Sequence, residues 1–135
     1  MALRSGKGRR TDPPPALHEL ESEVMEQLWG GGEATVRDVM QTINKRRRTD
    51  RAYTTFMTVM ARLHKKGLLA RRRDGKTDYY APVYDREQYM ALRAAAEVDD
   101  LVSQYGDVAL SHFARQMAGL DPARRRALER LARKG

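Results

Sequence analysis

Residues 52–82 read AYTTFMTVMARLHKKGLLARRRDGKTDYYAP, and the side-chain period changes once inside this stretch. Phe56, Val59, Met60 and Leu63 recur at helical spacing, which predicts a helix from about Tyr53 that Gly67 stops with a left-handed cap. Beyond it, Leu68 to Arg73 and Lys76 to Tyr84 read as two strands. Asp74 and Gly75 between them suit the positive φ angles of a two-residue type I′ turn. An amphipathic helix therefore runs directly into a tight, basic hairpin.

Working outward, Leu17, Leu20, Val24 and Leu28 predict a first helix over about Ala16 to Trp29, ended by Gly30, Gly31 and Gly32. Thr35 is placed to cap a second helix, with Asp38 at N3 and Val36, Val39, Met40 and Ile43 as its buried stripe. It should fade into Lys45, Arg46, Arg47 and Arg48. Residues 1–15, MALRSGKGRRTDPPP, offer almost nothing to bury, so they are expected to form a disordered basic arm ending in a Pro13–Pro15 spacer. Arg4, Lys7, Arg9 and Arg10 read as a solvated tail, with phosphate contact as the alternative.

On the C-terminal side, Asp85 and Gln88 form a capping-box pattern that opens a helix with a seam of Met90, Ala94, Val98, Leu101 and Tyr105. Gly106 interrupts it. A short helix over about Val108 to Ala118 follows, then a last one capped by Asp121, with Pro122 at N1 and Leu128 and Leu131 on its apolar side. The resulting organisation is a 1–15 arm, a 16–84 DNA-binding domain and an 85–135 helical domain.

At 135 residues the chain holds one domain, or one small domain with an appendage. Its net charge of +8 and isoelectric point of about 10.1 favour an acidic partner. The charge is sorted. Arg37 to Lys76 carries 13 Lys/Arg against 3 Asp/Glu, whereas Asp12 to Glu33 carries 6 acids and no Lys or Arg. No apolar run reaches the ~18 residues of a membrane span, and no signal core precedes residue 30, so a cytoplasmic protein is expected. Zero cysteines exclude disulfides, thiolate metal sites and thiol catalysis. His18, His64 and His112 share no metal-ligand spacing, and no phosphate loop or nucleophile motif is present. An enzyme is not expected, nor is a cofactor or a metal.

The third helix carries an unusual outer face. With Phe56 pointing inward, Thr54, Thr58, Ala61 and Lys65 lie opposite it and Met57 and Arg62 lie on the flanks. Threonine suits close approach to base edges, since its hydroxyl donates or accepts and its methyl packs on the thymine methyl. Arg62 and Lys65 would then lie near phosphates. A solvated face is the plain alternative, but such faces usually carry Glu and Lys pairs, and no acid stands between Arg51 and Asp74. In the hairpin, Arg71 and Arg73 share one strand face and Arg72 points the other way; with Lys76 they would place cations along a groove or backbone. The same charges also guard a strand edge against pairing. An RNA-binding protein is the competing class; it would need stacking platforms, and core packing explains at least Tyr80 among Tyr79, Tyr80 and Tyr84.

The runs LESEVMEQLW (Leu20–Trp29), ATVRDVM (Ala34–Met40), the stretch 52–82 and LSHFA (Leu110–Ala114) resemble the penicillinase repressor family of BlaI/MecI/CopY type. The resemblance covers the chain from about Leu17 onward, and its most specific part joins YTT, ARLHKKG and the hairpin. It implies a mainly α protein: an α+β winged helix-turn-helix DNA-binding domain followed by a C-terminal helical dimerisation domain. It further implies a homodimeric repressor on double-stranded palindromic operator DNA, controlling β-lactam-response genes and released through a membrane sensor protease of the BlaR type. The family's recognition helix matches Tyr53 to Lys66, with operator contacts at Tyr53, Thr54, Thr55, Met57 and Thr58. Some members have basic side chains at the positions of Thr54 and Met57, so the resemblance implies DNA binding and not a shared operator. The family's cleaved Asn-Phe pair matches His112 and Phe113, and the cysteine pairs of copper-responsive members are absent.

Physics points to dimerisation as well. Three short helices of about 50 residues bury too little to stand alone, so an identical copy is the natural cover. Residues 85–135 carry +9 against −8, residues 1–84 +17 against −10. Packing of these helices on the rest of the same chain is the other possibility.

Overall fold

The computed structural model describes residues 13–134. Over these the order is α1 (Glu19–Gly31), α2 (Val36–Arg47), α3 (Tyr53–Lys65), β1 (Leu69–Asp74), β2 (Thr77–Pro82), α4 (Arg86–Tyr105), α5 (Asp107–Ala118) and α6 (Pro122–Lys134). Two compact units meet within α4, the first ending at Ala94 and the second beginning at Ala95. The mainly helical α+β class expected from the sequence is the class observed.

In the first unit the 3.6-residue period brings one stripe of each helix inward. Val24, Met25 and Leu28 of α1, Val39 and Ile43 of α2, and Phe56, Met60 and Leu63 of α3 are buried, and Leu68, Leu69 and Tyr80 close the core from the hairpin side. Each such side chain contributes about 1.5–3 kcal/mol of burial. Ala34, between α1 and α2, exchanges two backbone hydrogen bonds with Tyr80, at 3.0 and 2.8 Å, and so adds a one-residue third strand to the hairpin. That pairing is the feature that makes the hairpin a wing of the helical core.

The caps of α2 and α4 form as expected. The Thr35 hydroxyl accepts from the Asp38 amide at 3.1 Å, and Asp85 and Gln88 exchange side-chain-to-backbone bonds of 2.8 Å each. Three boundaries differ from expectation. α1 starts at Glu19 and runs through Gly30 and Gly31, breaking only where Gly32 takes φ +83°. The hairpin register pairs Asp74 with Thr77, so the two-residue turn is Gly75-Lys76 and not Asp74-Gly75. Only Gly75 has positive φ (+67°), the signature of a turn with glycine at its first central position, of type II′ kind. The third difference concerns the arm: residues 1–12 lie outside the described residues, but Pro14 is buried and Pro15 half-buried. The Pro14 carbonyl accepts from Arg93 Nη1 at 2.9 Å and the Pro15 carbonyl from the Tyr89 hydroxyl at 2.8 Å. Tyr89 in turn stacks near Trp29, at 5.5 Å between rings, and Trp29 Nε1 donates to the Tyr84 carbonyl at 2.9 Å. These contacts carry the first unit past Tyr84 into α4.

The second unit is built differently. Gly106 (φ +59°) separates α4 from α5, and the Asp121 carboxylate caps α6 by accepting from the Ala123 amide at 2.9 Å. Among its described residues no side chain is buried. Val98, Leu101, Tyr105, Val108, Leu110 and Leu131 are all exposed, Val108 by 65%.

Candidate nucleic-acid interface

Burial of Phe56, Val59, Met60 and Leu63 fixes the rotation of α3 and thereby turns Tyr53, Thr54, Thr55, Met57, Thr58, Ala61, Arg62 and Lys65 to solvent. Among the described residues, the side chains of Thr54, Thr55, Thr58, Arg62 and Lys65 have no hydrogen-bond or ion-pair partner. Their donors, acceptors and charges are available to an outside ligand. Tyr53 is covered by Arg37 from α2, whose guanidinium lies 5.3 Å from the ring centre.

The acids of α1 and the loop after it decide which cations stay free. Glu21, 1% exposed, is bound by Lys66 Nζ at 3.0 and 2.8 Å and also accepts from the His18 amide at 2.9 Å. Burial alone would raise its pKa, but the His18 amide and the Lys66 ammonium outweigh that and hold it below the usual carboxylate value. Glu23 lies 3.6 Å from Arg51 and 4.0 Å from Arg47, Glu26 pairs with Arg86 at 3.1 Å, and Glu33 with Arg72 at 2.8 Å. The sorted charge of the sequence is thus partly internal pairing. What it leaves unpaired is concentrated on α3 and the tip of the hairpin.

On the wing, Arg71 and Lys76 are exposed and unpaired among the described residues, while Arg73 lies 3.8 Å from Asp78. Arg72 points to the other strand face as expected. There its Nε and Nη2 donate to both Glu33 oxygens at 2.9 and 2.8 Å, and its guanidinium stacks 4.7 Å over Tyr79. The hydrogen bonds from Arg72 lower the Glu33 pKa, and the same contact raises that of Arg72. Tyr79 is therefore covered and Tyr80 only 3% exposed, which leaves no pair of open rings on the hairpin for unstacked bases.

The remaining expected residues lie outside this face. Met90, Ala94, Val98, Leu101 and Tyr105 are exposed along α4. His112 and Phe113 sit in the middle of α5, where with Leu101, Tyr105, Val108 and Ala109 they line an apolar groove of about 240 Å³. A protease would need this helix opened to reach the bond between them. Sequence reasoning missed Arg37, Asn44, and the pairing of Glu33 with Arg72. The two pairings are long-range and leave no spacing signal, whereas an asparagine in the last turn of a helix ahead of a loop is a local hint for Asn44.

The family model described as penicillinase repressor matches residues 17–134. The transcriptional regulator BlaI of Mycobacterium tuberculosis (strain ATCC 25618 / H37Rv) is 42% identical over 121 residues, which cover 85% of this chain and 84% of that protein. The penicillinase repressor of Bacillus licheniformis is 26% identical over 80 residues, 59% of this chain and 61% of that one. Among solved structures, the DNA-binding domain of the repressor BlaI aligns with a TM-score of 0.49 at 28% identity, covering 56% of this chain and 90% of that domain.

Proposed function

The chain belongs to the penicillinase repressor family, a family of DNA-binding transcriptional repressors and not of enzymes, and from that premise we propose that it binds palindromic operator DNA as a homodimer and so blocks promoter access. One observation carries the reading. The exposed face of α3 presents partnerless threonines flanked by free Arg62 and Lys65, beside a wing bearing free Arg71 and Lys76. Thr54, Thr55, Met57 and Thr58, with Tyr53 at the entry, would meet base edges in the major groove. Arg62, Lys65, Arg71, Arg73 and Lys76 would meet phosphates, and Arg72 would do so only by exchanging Glu33 for a phosphate. Double Arg71→Ala/Lys76→Ala should therefore flatten the plot of log affinity against log salt by about one unit per residue and weaken all duplexes alike. An unchanged slope would remove the wing from the interface.

The homodimer reading rests on the second unit. A run of three helices with exposed Val98, Leu101, Tyr105 and Val108 and no buried side chain is covered most simply by its own copy, along the seam from Met90 to Tyr105. Two readers related by a two-fold axis call for half-sites about 34 Å apart, or a multiple of this. The regulated genes would be β-lactam-response genes, a reading supported by the Bacillus licheniformis relative being a penicillinase repressor. Release would follow a signal from a membrane sensor protease pathway, with cleavage between His112 and Phe113 or another inactivation. The setting is the cytoplasm, where operator DNA lies; among the described residues no helix is long and apolar enough to cross a membrane.

Selection of duplexes from a random pool tests the whole reading. Wild-type protein should enrich an inverted repeat, and Leu101→Asp, which places a carboxylate on the seam, should sediment as a monomer and enrich a single half-site at best. Enrichment of no duplex, or equal retention of structured RNA, would reject the function; dimers of Leu101→Asp would move the interface.

A further inference from the structure

α2 and α3 begin in different ways. Thr35 caps α2 with its own hydroxyl, but Ala52, at the same position before α3, has no side chain able to cap, and no side chain bonds the first turn of α3. What holds the entry to α3 comes from the preceding helix. Asn44, in the last turn of α2 and half-buried, donates from Nδ2 to the Arg51 carbonyl at 3.0 Å. Its Oδ1 accepts from the Arg51 amide at 3.2 Å and from the Thr49 hydroxyl at 2.9 Å, and its own carbonyl accepts from the Thr49 amide at 3.0 Å. One side chain thus grips both backbone polar groups of Arg51, the residue directly before the α3 N-cap. Arg48, in the loop between them, takes the left-handed conformation at φ 55°, which a non-glycine residue holds only when its surroundings over-determine it. The bonds from Asn44 supply that determination.

We propose that Asn44 is the positioning residue for DNA reading: it sets the axial position of α3 through Arg51, and so places Tyr53, Thr54 and Thr58 relative to base edges without touching DNA. This rests on the reading of α3 as the recognition helix. Free cations on α3 and the wing are untouched by a change at Asn44, so attraction to phosphates persists while base readout, which tolerates little displacement, is lost. That asymmetry separates positioning from mere support of the fold.

The test uses the full chain, a duplex that wild type selects from a random pool, and a shuffled duplex of the same composition. Asn44→Ala should bind the selected duplex about tenfold more weakly, or about 1.4 kcal/mol, while affinity for the shuffled duplex stays within about twofold. Asn44→Asp keeps both acceptor bonds and loses only the donor to Arg51, so its specificity ratio should fall between wild type and Asn44→Ala. It also carries the test should Asn44→Ala fail to fold. An unchanged ratio in a folded variant, parallel loss on both duplexes, or unfolding of both variants at the assay temperature would overturn the proposal. Failure of wild type itself to prefer any duplex would instead count against the recognition-helix reading, and is seen before any variant is made.

Discussion

Lys66→Met should lower the stability of the first unit by about 2–3 kcal/mol at neutral pH, the cost of stranding a buried carboxylate reduced somewhat for the partial exposure of the lysine. Glu21 is 1% exposed and takes its compensation from two sources, the His18 amide and both contacts with Lys66 Nζ. Removal of the ammonium leaves one amide against the full desolvation of the carboxylate. For a domain of this size the midpoint of thermal unfolding should fall by roughly 10–20 °C. The dependence on pH follows from sign. In the wild type the folded Glu21 pKa lies below its ordinary value, so the pair stabilises above the unfolded pKa and this contribution disappears as pH falls through the folded value. In Lys66→Met, burial acts without the cation and pushes the carboxyl up, so acid relieves that variant while it weakens the wild type. The gap between the two should therefore narrow from pH 7 towards pH 4, and Glu21→Gln/Lys66→Met should recover part of the loss at pH 7. Denaturation curves at both pH values decide it; a variant within about 0.5 kcal/mol of wild type at pH 7 would show that the ion pair is dispensable.

Lys66 also explains what the sequence does and does not reveal. Signals that act over three or four residues were legible: the Thr35/Asp38 and Asp85/Gln88 boxes, the Phe56 to Leu63 stripe, the Asp121-Pro122 start. So was the outward face of α3, because it is the complement of that stripe. The hairpin was visible but its register was not, since a glycine at the second position of a type I′ turn or at the first of a type II′ turn leaves the same Asp-Gly-Lys string, and the Ala34 to Tyr80 pairing is needed to choose. The charge block on α1 looked like half of an oriented surface. Its acids instead reach Lys66, Arg51, Arg86 and, through Glu33 in the next loop, Arg72, partners that no local spacing identifies. Pro14 was read as spacer because a proline run carries no periodicity, yet a donor on α4, far along the chain, holds its carbonyl. Sequence thus located the site by what is absent there, acids on α3, and missed the pairing that keeps other cations away from it.

Thr58→Glu should abolish sequence-specific DNA binding while leaving the fold intact. Thr58 is exposed on α3 and has no partner among the described residues, and glutamate is a better helix former than threonine, so stability should change by less than about 0.5 kcal/mol. Binding suffers three separate losses. The hydroxyl and methyl that fit a base edge are gone; a carboxylate enters a groove lined by phosphates, without a donor assured to it; and Arg62, four residues on, becomes the i+4 partner of the new acid and is drawn from the backbone it would neutralise. Each half-site of a dimer takes the same penalty, so specific affinity should fall by at least about a hundredfold, or roughly 3 kcal/mol. Thr58→Val, which keeps the methyl and removes only the hydroxyl, should lose less and lose it at one base position per half-site, a pattern that electrostatic repulsion alone does not produce. Titration of the selected duplex with wild type and both variants, alongside sedimentation to confirm unchanged assembly, separates the contributions. Wild-type affinity in Thr58→Glu would place the reading surface away from α3, since no helix inserted between phosphate chains accepts a new anion at its centre without cost.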